Sequence, residues 1–353
     1  VTDGTTWPEV LHRLISRQDL TADEAAWVMD QVMTGQAAPS QLAAFLVGLR
    51  AKGESVSEMR GLADMMLAHA HRFEVDGPSL DIVGTGGDRS HTVNISSMSS
   101  IVAAAAGVPV VKHGNRAASS SSGSADMLEA LGVRLDLTPE QVAGTFARCG
   151  ITFCFAQTFH PSMRHAGAVR RELGVATVFN FLGPLTNPGQ PRYAAVGVAD
   201  ARMAPLMAGV FADRGRRAVV FRGDDGLDEV SPAASSHVWW VDGTSVRELG
   251  ITPEAVGLPR HTVAELRGGD GRHNAEVARR VMGGEPGPVR DAVLLNAGMA
   301  LALAASGEGG PDPRTDEELA AAVRAGVERA ARAIDSGAAA RLVDDWVRAT
   351  TEA

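Results

Sequence analysis

A change of hydrophobic period near residue 75 constrains this chain more than any other feature. From Trp7 to about His71, apolar residues recur at three- and four-residue spacing in WPEVLHRLISR, ADEAAWVMDQVM and SQLAAFLVGLRAKG, the repeat of amphipathic helices. Gly or Pro stands at the breaks, and Thr21 and Ser40 are the expected N-caps of the second and third helices. After the turn-rich DGPS the runs shorten to LDIV, GVPVVKHG, ITFCFA, AAVGVA, RAVVFRG and SHVWWVDG, β-rich and bounded by glycine or polar turn residues. Helical stretches such as Ser96 to Ala106, Ser124 to Leu131 and Thr138 to Arg148 separate most of them. This alternation predicts an α/β fold: a small N-terminal helical domain plus a larger α/β domain with a mainly parallel central sheet. The expected division is 1–75 for the helical domain, completed by about 165–190, and 76–164 with 191–353 for the α/β domain.

With 353 residues, 45% of them hydrophobic and 21% charged, the chain can bury a core without a covalent staple. Its 42 acidic against 33 basic residues give a net charge of −9, leaving no general positive field for nucleic acid or an anionic membrane. Any affinity for phosphate must therefore be local. The two cysteines, Cys149 and Cys154, lie in CGITFCF without the repeated ligands of a zinc site and read as buried thiols of a reducing compartment. No apolar stretch is read as reaching the roughly 18 to 20 residues of a membrane span. Without a signal-peptide pattern at the N-terminus, a cytoplasmic protein is expected. The last forty residues read as amphipathic helices with a packing role.

Chemistry is concentrated after LDIV, where GTGGD (Gly84 to Asp88) lets backbone N–H groups converge on an anion. A glycine-rich turn also serves packing alone, and this one matches neither the Walker pattern nor GxGxxG. Asn94, Ser96 and Ser97 then open a helix of small residues, SSMSSIVAAAAG, offering hydroxyls and free N–H groups to a phosphate or simply capping the helix. In VPVVKHGNRAASSSSGSAD, Lys112 ends a strand with a positive charge, while Asn115 and Ser119 to Ser124 supply neutral donors.

Two further segments carry candidates. GDDGLDEV places Asp224, Asp225, Asp228 and Glu229 in a turn after RAVVFRG, hard oxygen ligands of the kind Mg2+ prefers; on spacing alone a solvated acidic loop is favoured. FAQTFHPSMRHAGAVRRELG carries His160, Arg164, Arg170 and Arg171, which by themselves read as a turn cap and a basic helix face. His69, His71 and His91 match no motif.

Taken together and in order, GTGGD, NISS, KHGNR, GSADxLEALG and FNFLGPLTNP closely resemble the anthranilate phosphoribosyltransferase family, over nearly the whole chain to LLNA near Asn296. The resemblance implies the class III phosphoribosyltransferase fold and transfer of the 5-phosphoribosyl group of phosphoribosyl pyrophosphate (PRPP) to the amino group of anthranilate, in tryptophan biosynthesis. It implies that Gly84, Gly86, Gly87, Asp88, Thr92, Asn94, Ser96, Ser97, Lys112 and Ser124 line the PRPP site. Ser96, Asp228 and Glu229 hold Mg2+ by the same implication, which reverses the solvated-loop reading, and Asp224 and Asp225 are bystanders. Gly84, Asn115, His160, Arg170 and Gly183 would face anthranilate, with Gly183 and Pro184 forming a packing turn. Lys112 and Arg170 are the implied catalytic pair. Where family members often carry a lysine in the serine run this chain has Ser121, which predicts one phosphate contact that is weaker or is supplied elsewhere. A homodimer is expected, with PRPP and anthranilate as small-molecule partners and neither nucleic acid nor membrane.

The amine of anthranilate is neutral and needs no strong base, so positioning and charge stabilisation are expected to dominate a loose displacement at C1. A pyrimidine nucleoside phosphorylase and a nucleic-acid-binding relative are disfavoured by the DE pair, by Arg170 and by the net charge. A different aromatic amine as acceptor stays open.

Overall fold

In the computed structural model, which describes residues 4–116 and 122–353, the N-terminal repeat folds as α1 (Trp7–Ile15), α2 (Ala22–Met33), α3 (Pro39–Lys52) and α4 (Val56–Ala68). Two starts are built as capping boxes. Thr21 N donates to Glu24 Oε2 at 2.8 Å while Glu24 N returns a bond to Thr21 Oγ1, and Ser55 and Glu58 repeat the pattern at α4. Ser40, by contrast, is not the cap of α3. The helix begins at Pro39 behind Ala38, because proline's fixed φ and missing N–H suit the first helical position, and Ser40 falls inside the first turn.

The strands are β1 (Leu80–Gly84), β2 (Val110–Gly114), β3 (Ile151–Phe155), β4 (Tyr193–Gly197), β5 (Arg217–Gly223), β6 (Ser236–Asp242) and β7 (Val246–Ile251), joined in one sheet of order β3-β2-β1-β4-β5-β6-β7. The pairings from β3 through β5 are parallel, and β6 and β7 continue antiparallel. The mainly parallel α/β sheet expected from the alternation is present, with β7 an addition whose polar residues carry no strand signal. The remaining helices are α5 (Ile95–Ala105), α6 (Ser124–Leu131), α7 (Pro139–Cys149), α8 (Ala156–Phe159), α9 (Arg164–Leu173), α10 (Phe179–Leu182), α11 (Met203–Asp213), α12 (Gly271–Met282), α13 (Pro288–Gly307), α14 (Asp316–Asp335) and α15 (Ala338–Thr351).

Strand alternation sorts the core into two layers. Leu80, Ile82, Tyr193, Ala195, Val219, Phe221, Val238 and Trp240 pack on one face with α5, α6 and α12 to α15. Ala194, Val196, Ala218, Val220, Trp239 and Val241 point the other way, into an apolar layer shared with α1 to α4 and α9 to α11. The segment after β3 thus joins the N-terminal helices, α9 packing on α2 and α3.

Two sequence expectations need correction. α13 has the length and apolar character of a membrane span, with mean hydropathy 1.3, but 78% of that window is buried inside the protein as a central core helix. Arg290, Asp291 and Asn296 hide it from a search for unbroken apolar runs. Of the cysteines, Cys154 is buried as expected, whereas Cys149 is only half-buried at the end of α7; burial raises both thiols above their ordinary pKa.

Candidate active site

The five parallel strands all deliver their carboxyl ends to the same edge, and the strand order reverses at β1, the place where open α/β sheets leave a crevice. There β1 runs into the glycine turn. Gly86 and Gly87 take φ of 69° and 88°, and Gly86 N donates to Asp228 Oδ2 at 2.6 Å. A Cβ on Gly84 would strike the Asp228 carboxylate and one on Gly197 its backbone carbonyl, so the loop after β5 lies directly on the ends of β1 and β4. Beyond the turn, Arg89 and His91 are held at positive φ of 60° and 52°, a local strain that bends the chain back. Asp88 Oδ1 accepts from Ser90 N at 3.2 Å, and its buried Oδ2 has no partner among the described residues.

The start of α5 faces the same loop. Ser96 N donates to Glu229 Oε1 at 3.2 Å, and the buried Ser97 hydroxyl has no partner among the described residues. Asn94 is fixed by Asn274, whose Nδ2 donates to its Oδ1 at 2.8 Å, and donates in turn to Ser122 O at 3.2 Å. Thr92 lies in an extended stretch bridged to Arg267. Ser124 opens α6 and donates to Asn115 O at 3.2 Å, tying that helix to the end of β2. Lys112, only 1% exposed, is turned inward: Nζ donates to Ile82 O at 2.6 Å and approaches Ser96 Oγ at 3.5 Å.

Charge is crowded here. Asp228 keeps some surface exposed, but the protein packed around its carboxylate, with the charge of Asp88 nearby, pushes it up to about 7. Burial raises Glu229 well above the ordinary carboxylate range; Asp228 adds to this and Lys112 opposes it. Lys112 is itself lowered by burial against the pull of Asp81 and Glu229. Asp81, raised to about 6 by burial, accepts from Asn187 Nδ2 at 2.8 Å and from His113 N at 3.2 Å.

A second cluster follows β3. His160 is buried at 4% exposure, its Nε2 bonded to Thr186 O at 3.0 Å, and the ring of His113 lies 5.2 Å away with Nδ1 bonded to Gly183 O at 3.0 Å. Backbone carbonyls can only accept, so these contacts fix His160 as the Nε2–H tautomer and His113 as the Nδ1–H tautomer. The other ring nitrogens, His160 Nδ1 and His113 Nε2, are unprotonated and have no partner among the described residues. Burial lowers both pKa values, His160 to about 4 and His113 to about 3. On α9, the half-buried Arg170 guanidinium lies 5.3 Å from the centre of the Phe179 ring. Burial lowers its pKa, and no carboxylate pairs with it among the described residues.

Residues 76–340 match a glycosyl transferase family described by its a/b domain, and residues 8–70 match the helical bundle domain of the same family. An anthranilate phosphoribosyltransferase of Nocardioides sp. is 58% identical over 346 residues, covering 98% of this chain and 99% of that one. The chain belongs to the anthranilate phosphoribosyltransferase family. The solved anthranilate phosphoribosyltransferase of Thermus thermophilus superposes with a TM-score of 0.88 at 40% identity, covering 97% of this chain and 99% of that one. That of Saccharomyces cerevisiae, in complex with PRPP and Mg, gives 0.87 at 25% identity and 99% coverage of both chains.

Within this anthranilate phosphoribosyltransferase fold the expected residues fall into two groups. Contacts link Gly84, Gly86, Asp88, Ser96, Lys112, Asp228 and Glu229 around the end of β1, with Asn94 and Ser124 on the adjoining wall. Gly183 and His160 meet through His113, while Arg170 shares no hydrogen bond with them and Asn115 sits by α6. The serine run from Ser119 to Ser121, including the departure at Ser121, lies outside the described residues. Asp225 accepts from Ser231 Oγ at 2.6 Å within its own loop. Sequence reading passed over His113, Asp81 and Asn187; the lone acid inside the apolar run LDIV was the available signal for Asp81. A cavity of about 320 Å³ lined by Arg60, Arg214 and Arg217 reaches Asp81, Asn187 and Pro184 but none of the residues expected to touch PRPP or anthranilate.

Proposed function

We propose that this chain transfers the 5-phosphoribosyl group of PRPP to the amino group of anthranilate, giving N-(5-phosphoribosyl)anthranilate and pyrophosphate, with Mg2+ at the acidic pair. The observation that carries this reading is the clasp made by Asp228 and Glu229 on the two N–H groups, Gly86 and Ser96, that flank the phosphate side of the crevice. Three acids crowd this place with Lys112 as the buried cation beside them.

Among the described residues no three His, Cys, Asp or Glu side chains enclose a metal. The carboxylates of Asp228 and Glu229, with the unpartnered Asp88 Oδ2 nearby, are hard oxygen donors of the kind Mg2+ takes while it keeps water and phosphate oxygens in its shell. Asp228 and Glu229 would hold it, with Ser96 beside them. When bound, Mg2+ supplies positive charge against the departing pyrophosphate.

The chain's own groups do the rest. Gly87 and Ser97, which neither Asp228 nor Glu229 engages, offer backbone and hydroxyl donors to phosphate oxygens. Lys112 lends its buried charge through Ser96 and Glu229. Arg170, held against Phe179, binds the anthranilate carboxylate, and His160 with Asn115 orients the ring behind C1. The unprotonated nitrogens of His160 and His113 are acceptors for the amine hydrogens, so no strong base is required.

The same reading divides the chain at 1–75 with about 165–190 against the remainder. It includes a cytoplasmic homodimer, for which Ile15 and Val47, 80% and 48% exposed on α1 and α3, offer an apolar surface.

The test follows the loss of anthranilate fluorescence with PRPP and Mg2+, with EDTA and an Arg170→Ala variant alongside. Metal-dependent loss that the variant sharply reduces is expected. Folded protein that binds PRPP yet leaves anthranilate untouched would show that the acceptor is another aromatic amine.

A further inference from the structure

Asn296 is an amide in the middle of the apolar core helix α13, fully buried at 0% exposure. A buried amide is costly unless its hydrogen-bonding capacity is used. Asn296 directs two of its three bonds to one residue: Oδ1 accepts from Val230 N at 2.8 Å and Nδ2 donates to Val230 O at 3.0 Å, while Nδ2 also donates to Ala292 O of its own helix at 2.9 Å. The side chain therefore pairs with both backbone groups of a single residue, as a neighbouring strand would.

Val230 directly follows Glu229 in a loop between β5 and β6 that has no strand beside it. The bonds made by Asp228 and Glu229 themselves run outward, to Gly86 N and Ser96 N. The amide of Asn296 holds the backbone one residue further on. The Val230 side chain is 1% exposed in the same core as α13, and on its other side Ser231 N donates to Ser236 Oγ at 2.8 Å.

We infer that Asn296 is a positioning residue for the metal site: it sets the orientation of Glu229, and with it the geometry at which Asp228 and Glu229 take a divalent cation together with a pyrophosphate group. This rests on the metal role proposed above for the acidic pair. Asn296 touches neither substrate nor cation and acts only through the backbone of Val230.

The experiment titrates Mg2+ at fixed PRPP, without anthranilate, and reads PRPP binding by calorimetry in wild type, Asn296→Leu and Asn296→Ser. Leucine keeps the branched shape and leaves both Val230 groups unpaired; serine keeps a short hydroxyl should leucine fail to fold. A tenfold or larger rise in half-saturating Mg2+ is expected for leucine and a smaller rise for serine, with KM for anthranilate unchanged at saturating Mg2+. Leu295→Ala, equally buried on the same helix, is the control and should lower stability without moving the Mg2+ titration. Folded Asn296 variants with wild-type Mg2+ dependence, or a Leu295→Ala shift of equal size, would overturn the inference. A wild type whose PRPP binding ignores Mg2+ sinks the parent reading instead, and the inference with it.

Discussion

Arg170 rests on Phe179 rather than on an acid: its guanidinium lies 5.3 Å from the ring centre, and no carboxylate among the described residues neutralises it. A half-buried cation held in this way is ready for an external anion with planar geometry. Arg170→Ala should lower kcat/KM for anthranilate by roughly 1.5–3 kcal/mol in transition-state terms, the worth of a charge-assisted bond, with KM for PRPP little changed. Arg170→Lys should recover only a minor part, because an ammonium lacks the fork that pairs with a carboxylate. Equal losses for both substrates would place Arg170 outside the acceptor site.

Asp228→Asn keeps an oxygen that can accept from Gly86 N while removing one of three crowded charges. Metal-free protein should therefore gain stability, on the order of 1 kcal/mol, in urea unfolding. Thermal stabilisation by Mg2+ plus PRPP should be largely lost. A variant less stable than wild type without metal, yet fully responsive to Mg2+, would contradict the crowding described here.

Gly197 ends β4 directly beneath the Asp228 backbone, and Gly197→Ala would drive a methyl group into the Asp228 carbonyl. Backbone cannot rotate aside as a side chain does, so a loss of about 1–3 kcal/mol is expected in chemical denaturation. Gly84→Ala meets instead the Asp228 carboxylate and should weaken PRPP binding more than it weakens the fold.

His160 has a folded pKa of about 4, below the 6.5 of the free imidazole, because burial disfavours its charged form. Between those values the unfolded chain binds the extra proton, so the contribution to stability is present above pH 6.5 and is lost as pH falls toward 4. Acids raised in the fold, such as Asp81, work in the opposite sense and mask the effect in wild type alone. They cancel in a comparison with His160→Asn. From pH 6 to 4.5 wild type should lose about 2 kcal/mol more than the variant does, read from urea midpoints. Parallel losses would mean that the imidazole is solvated.

The parallel strands were legible because each is a short β-branched run closed by glycine or a polar turn, and because glycine at a strand end has a steric reason. β7 was not, since Val246–Ile251 lies at the sheet edge and carries Arg247 and Glu248 where a buried strand would be apolar. α13 was misjudged for a related reason: Asn296 looks like an interruption until its partner on Val230, distant in sequence, is known. The residues that gather around the end of β1 could be named from motif order. The inward turn of Lys112 and the pairing of His113 with His160 depend on which strands become neighbours, and spacing along the chain does not carry that information.

β1 sits between β2, its successor, and β4, which begins only at Tyr193. While the chain is being synthesised, the strand that carries the glycine turn has one open edge until the whole stretch from α8 through α10 has been made, and the turn lacks its acidic clasp until residue 229 follows. Parallel pairing over such separations is slow to form and leaves a sticky ribbon exposed meanwhile. Chains released early from the ribosome, ending anywhere between β2 and β4, would therefore be targets for chaperones and proteases before the question of catalysis arises.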